Sequence, residues 1–102
     1  MFTIFFNGKV RRLFRKAQKA RSKSLSNLAI KYVSLGIDIE DQKINADNDI
    51  LSEMYTFRGE IFFHIQQLLL AQGDFKTAAR KNPNNLFALA AVKSCQRLLY
   101  GK

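Results

Sequence analysis

Taking about 100° per residue, Val10, Phe14, Ala17, Leu28, Tyr32 and Leu35 fall on one stripe of a helical wheel, and Lys9, Arg12, Lys16, Lys19 and Lys23 fall opposite. The pattern predicts an amphipathic helix over 9–36 with a basic back. Gly36 is its natural stop, because glycine takes the left-handed conformation without a side-chain penalty. Arg21 interrupts the apolar stripe, within Arg21-Ser22-Lys23-Ser24. Either the arginine snorkels to water or the helix breaks there, with Ser24 or Ser26 capping a second piece.

The start of the chain supports two readings. Phe2, Phe5, Phe6, Val10, Leu13, Phe14 and Ala17 share a helical period, yet Asn7-Gly8 between Phe2-Thr3-Ile4-Phe5-Phe6 and Lys9-Val10-Arg11-Arg12-Leu13 is a two-residue hairpin signal. Glycine inside a helix costs about 1 kcal/mol relative to alanine, so a β-hairpin or extended apolar arm over 1–8 is expected, with the helix starting at Lys9.

Residues 37–49 are acidic and read as a loop. Their oxygen-rich run lacks the central glycine and the spaced glutamate of a calcium loop, so Asp47, Asn48 or Asp49 is expected to cap the next helix. From Ile50 to Gln72 the pattern is apolar on most of the circumference. Ile50, Met54, Phe57, Ile61, Ile65 and Leu68 make one stripe, and Leu51, Tyr55, Phe62 and Leu69 a second. This predicts a central helix over 50–72. Gly73 ends it, Asp74 caps a short helix over 75–81, and Pro83 after Asn82 opens the last one, over 83–100. The buried face of that last helix is expected to carry Phe87, Ala88, Ala91, Val92, Cys95, Leu98 and Leu99. The fold class is therefore all-α: a small bundle of three main helices plus one short helix, in a single helical domain over 9–102.

Charge then separates the helices by character. The formal net charge is +9, and the nine basic side chains of residues 1–36 have no acidic counterpart there. An acidic middle, residues 37–60, separates this block from a basic C-terminal stretch. A block of like charge this dense is a contact surface for a polyanion or is solvated.

Candidate chemistry is sparse. One cysteine, Cys95, excludes an intramolecular disulfide, and with one histidine it cannot supply an ordinary zinc cluster. His64 borders the main stripe as a core-edge residue, and Cys95 is ordinary packing. Phosphate loops, paired catalytic carboxylates and nucleophile elbows are missing, so an enzyme, a metal site and a cofactor are not expected. A helix-turn-helix reading fails, because Val33 stands where its turn glycine belongs. The turn Ala78-Ala79-Arg80-Lys81-Asn82-Pro83-Asn84-Asn85 resembles the inter-repeat turn of tetratricopeptide repeats. The remainder of that 34-residue pattern is not found, since Gly73 lies too close to Ala78 and nothing recurs at its period, so the likeness is read as a common way of turning between helices.

These features point to a small basic binding protein. The first expectation is nucleic acid, DNA or RNA, bound largely without regard to sequence by Arg12, Lys16, Lys19 and Lys23, with Lys9, Arg11, Arg15 and Arg21 in support. The second is an adaptor or inhibitor docking on a larger protein assembly, or on itself, through Phe2, Ile4, Phe5 and Phe6 and the basic helix. The third puts those apolar residues in an anionic membrane surface. No secretory signal or bilayer-spanning run is present, and the expected location is intracellular, in the cytoplasm. The basic, Ser-containing start has the composition of a mitochondrial transit segment, but it runs into a core-forming helix, which disfavours that reading.

Overall fold

The computed structural model describes the backbone of residues 2–101 and the side chains of residues 8–101. It is all-helical, with α1 Phe2–Ser22, α2 Ser26–Asp41, α3 Asn48–His64, α4 Leu68–Lys81 and α5 Leu86–Tyr100, and no strand among the described residues. Five helices thus stand in place of three long and one short. The chain divides into two compact units, Met1–Asp47 and Asn48–Lys102.

In the first unit α1 packs against α2 as a helical hairpin. The expected β-hairpin at Asn7-Gly8 does not form, and neither does an extended arm. Helix α1 runs through Gly8, where an added Cβ would meet only Arg12 Nη1 at 3.5 Å. The long run of helix formers that follows outweighs the roughly 1 kcal/mol that one glycine costs.

The predicted helix over 9–36 is broken beside Arg21, the second of the two alternatives there, between Ser22 and Ser26. The Ser24 amide donates to the Arg21 carbonyl and the Leu25 amide to the Ala20 carbonyl, both at 2.9 Å, with Ser24 at φ 62°. This is a Schellman turn with serine at the left-handed position usually given to glycine. The Ser22 hydroxyl donates to the Lys19 carbonyl at 2.6 Å, satisfying one of the last carbonyls of α1. Neither Ser24 nor Ser26 caps α2; Leu25 precedes it with no side-chain cap.

The break resets the helical phase. Beyond it the buried set is Ala29, Val33, Gly36, Ile37 and Glu40, while Leu28 and Leu35 are exposed and Tyr32 is half-buried. Gly36 is no stop. It lies buried inside α2, which continues to Asp41 and takes in the first part of the expected acidic loop. Val10, Ala17 and Ala20 of α1 are buried as well, so small side chains let the two helices approach closely. Glu40 is 1% exposed and is held by Lys43 Nζ at 2.8 Å and by the Asp47 amide at 2.7 Å.

The second unit opens with another hairpin built the same way. The expected helix over 50–72 stops at His64, and Gln66 at φ 67° makes the same turn: its amide donates to the Phe63 carbonyl and the Gln67 amide to Phe62. Ser22, Ser24, Leu25, Ser26 and Ala29 of the first hairpin thus correspond, at a constant offset, to His64, Gln66, Gln67, Leu68 and Ala71 of the second. Helix α4 then runs straight through Gly73, which is neither a stop nor followed by a cap. Asp74 is buried, and it pairs with Arg58. Leu69, placed in the second stripe by an unbroken helix, is exposed because α4 starts in a new phase.

Helix α5 starts at Leu86 rather than Pro83, capped by Asn85 instead of Asn82; Asn85 Oδ1 accepts from the Ala88 amide at 3.0 Å. Ala71, Phe75 and Cys95 form the core between α4 and α5, with Phe62, Phe63, Ala91 and Val92 against it. Burial pushes the Cys95 thiol above its ordinary pKa, as expected of a packing cysteine. Phe87 and Leu98, placed on the buried face by the sequence pattern, are mostly exposed, although the Phe87 ring still meets Phe75 edge-on.

One polar network ties the three helices of this unit together. Asn85 Nδ2 donates to Ser52 Oγ and to Thr56 Oγ1, both at 2.9 Å; Ser52 Oγ donates to the Ala78 carbonyl at 2.8 Å, and Thr56 Oγ1 to the Ser52 carbonyl. Asn85→Ala is expected to destabilise the protein by about 1–2 kcal/mol in urea unfolding, since it removes both a helix cap and a partly buried donor. Asn85→Asp keeps the cap acceptor and loses the donor, so it should fall between the two. Equal stability of Asn85→Ala and the parent would show that the network contributes nothing.

Candidate functional site

The cationic residues expected to act together lie on α1 and in the turn that ends it. Arg12, Lys16 and Lys19 recur at i, i+4 and i+7 on one face of α1, and Lys23, in the turn after Ser22, follows them. All four are exposed, as are Lys9, Arg11 and Arg15. No acidic residue precedes Asp38 in the chain. Among the described residues, no carboxylate pairs with Lys16, Lys19 or Lys23. Arg21 is different. It is half-buried on the far side of α1, has interactions of its own and stands apart from the row. The expected contact residues Phe2, Ile4, Phe5 and Phe6 lie in the backbone of α1, with side chains outside the described residues.

Next to this row is a feature the sequence pattern did not show. Lys16, Lys19 and Ala20 of α1, Lys23 and Leu25 of the turn, and Leu28 and Tyr32 of α2 line an open groove of about 230 Å³. Lys16 Nζ lies over the Tyr32 ring, 5.8 Å from its centroid. The sequence pattern assigned Leu28 and Tyr32 to the buried stripe, and the break at Ser24 turns them onto the rim of the basic face instead. The combined signal of Arg21 within an apolar stripe and two serines beside it could have located that break.

The second unit has a groove too, with different chemistry. Phe63, Phe75, Phe87, Ala90 and Ala91 line about 310 Å³ of mostly apolar space, with Glu60, His64 and Ser94 at its edges. His64 is exposed in the last turn of α3, its ring edge-on to Phe63, instead of at the edge of the core. Among the described residues no group of three or more His, Cys, Asp or Glu could hold a metal ion, and no helix is long and apolar enough to cross a membrane.

No protein family, curated protein or solved structure was found to match the chain.

Proposed function

We propose that this chain is a non-enzymatic nucleic-acid-binding protein that lays Arg12, Lys16, Lys19 and Lys23 along phosphates, with Lys9, Arg11 and Arg15 flanking. The observation that carries this reading is the exposed cationic row along α1 and into the turn after it, free of acidic neighbours in sequence from Lys9 to Ile37. Fixed, solvated cations displace condensed counterions from a phosphate backbone, and this favours binding irrespective of base sequence. The absence of Arg21 from the row reduces the contact set from eight residues to seven.

Neutralising four to six phosphates of a duplex gives a log–log slope of affinity against salt of about −4 to −5. Fluorescence anisotropy with labelled duplex DNA, single-stranded DNA and structured RNA measures it, beside anionic liposomes. The variant with Arg12, Lys16, Lys19 and Lys23 all changed to Gln should lose about three to four units of that slope and most of the affinity. If this variant binds nucleic acid as the parent does, the reading is wrong. Binding to liposomes alone would move the basic face to a lipid surface.

The second unit favours another reading, docking of a protein partner. Gly59, Phe62, Ala71, Phe75, Ala78 and Pro83 stand at the spacing of the small, aromatic and proline positions of a tetratricopeptide hairpin. Gly59, rather than Gly73, is the glycine that fits that spacing. Arrays of such hairpins present concave surfaces to partners, and the apolar groove between α3 and α5 is a surface of that kind.

A further inference from the structure

The two hairpins close the same position in different ways. Lys16 and Tyr32 of the first hairpin correspond, at the offset that relates the two turns, to Arg58 and Asp74 of the second. In the second hairpin the position is sealed by a two-pronged ion pair, with Arg58 Nε and Nη2 each 2.8 Å from an Asp74 carboxylate oxygen. In the first, an ammonium over a phenol ring takes its place, and the groove stays open. A cation over an exposed ring contributes only about 0.5–1 kcal/mol, so a competing ligand can displace Lys16 from the ring face.

Resting on the nucleic-acid reading above, we propose that this groove is a single-strand site: one unpaired base stacks on Tyr32 while Lys16, Lys19 and Lys23 hold the flanking phosphates. Three features of the groove match such a ligand. Lys16 and Tyr32 both line the groove and the ammonium lies over the ring, so a flat group that replaces the ammonium would stack there. Leu25 and Leu28 provide an apolar rim that offers nothing to a phosphate and something to a base. Three lysines, Lys16, Lys19 and Lys23, line the same groove as the ring, so charge for the phosphates stands beside a surface for the base. A duplex can use the lysines but keeps its bases stacked inside, so it gains nothing from Tyr32. An acidic amphipathic peptide would also meet lysines and leucines, but it has no particular use for an open aromatic face capped by a replaceable cation.

The test compares a fluorescein-labelled oligothymidylate with a duplex of equal length, using the full chain. The oligothymidylate is expected to bind more tightly, and Tyr32→Leu to weaken it by about tenfold while leaving duplex affinity unchanged, in line with the loss of one stacked base. Tyr32→Phe keeps the ring and should retain the single-strand preference, which separates lost stacking from a disturbed fold. Photocrosslinking of the unmodified protein to an oligonucleotide carrying 5-iodouracil should place the adduct on Tyr32. If Tyr32→Leu binds oligothymidylate as the parent does, while Lys16, Lys19 and Lys23 changed together to Gln weaken both ligands, the single-strand site is excluded and the phosphate-binding row stands. If the parent binds neither ligand, the row itself is excluded. A groove that responds, in the amide spectra of Leu28 and Tyr32, to an acidic amphipathic peptide and not to the oligonucleotide also overturns the proposal.

Discussion

Arg58→Ala is expected to destabilise the protein by about 3 kcal/mol, the largest effect of any single change considered. The guanidinium reaches Asp74 through two donors, and it lies over the rings of Tyr55 and Phe62, 5.4 and 5.9 Å from their centroids. Asp74 keeps only 9% of its side chain exposed, so without Arg58 its charge would be left in a poorly solvated place. That stranded carboxylate, more than the attraction lost, sets the size of the effect. Urea unfolding of Arg58→Ala, Asp74→Ala and the double variant measures it. The double variant should cost less than the sum of the singles by about 1–3 kcal/mol. Arg58→Lys should recover only part of the loss, because an ammonium cannot repeat the fork or spread over two rings. A cost below about 1 kcal/mol for Arg58→Ala would mean that the pair behaves like a solvated surface bridge.

Gly59→Ala and Gly73→Ala are expected to have opposite signs, although both glycines lie inside helices and both gain the helix preference of alanine. A Cβ at Gly59 would stand 2.9 and 3.0 Å from two ring carbons of Phe75 and 3.2 Å from Asp74 Cβ. Phe75 is 2% exposed in the core, and Asp74 is fixed by Arg58, so neither neighbour can give way. Overpacking of this kind costs about 1–3 kcal/mol, against the roughly 1 kcal/mol that alanine contributes to a helix, and a net loss of about 1 kcal/mol follows. At Gly73 an added Cβ meets nothing within 4 Å. There the helix preference acts alone, and Gly73→Ala should stabilise by about 0.5–1 kcal/mol. Thermal or urea unfolding of the two variants checks the pair. A stabilised Gly59→Ala would show that α3 and α4 are farther apart than described.

The glycines also show why the helix boundaries were misread. Gly36 and Gly73 look like stops, yet both are interior residues of helices, and the real turns use Ser24 and Gln66 in the left-handed conformation. A residue other than glycine pays for that conformation only modestly, and a well-formed Schellman turn offsets the cost through two hydrogen bonds. Nothing local in Ile65-Gln66-Gln67 announces such a turn. Ile61, Ile65 and Leu68 keep one helical spacing across Gln66-Gln67, and the expected single helix over 50–72 follows from that continuity.

The cationic row was legible for the opposite reason. Spacing along α1 is a local property, so Arg12, Lys16 and Lys19 share a face wherever the helix packs. The same is true of the all-helical class, of Val10 and Ala17 in the core, and of Cys95 as a packing residue. The groove beside the row is a different matter. Tyr32 reaches the lysines only because the chain reverses at Ser24, and whether Lys16 meets a ring or Arg58 meets a carboxylate depends on which residue of the returning helix lies across from it. Charge, periodicity and element type are properties of residues close in sequence, and the sequence alone determined them. The reversals, the sign of a glycine's contribution and the partner of each cation depend on contacts between residues far apart in the chain, and only the tertiary structure decided them.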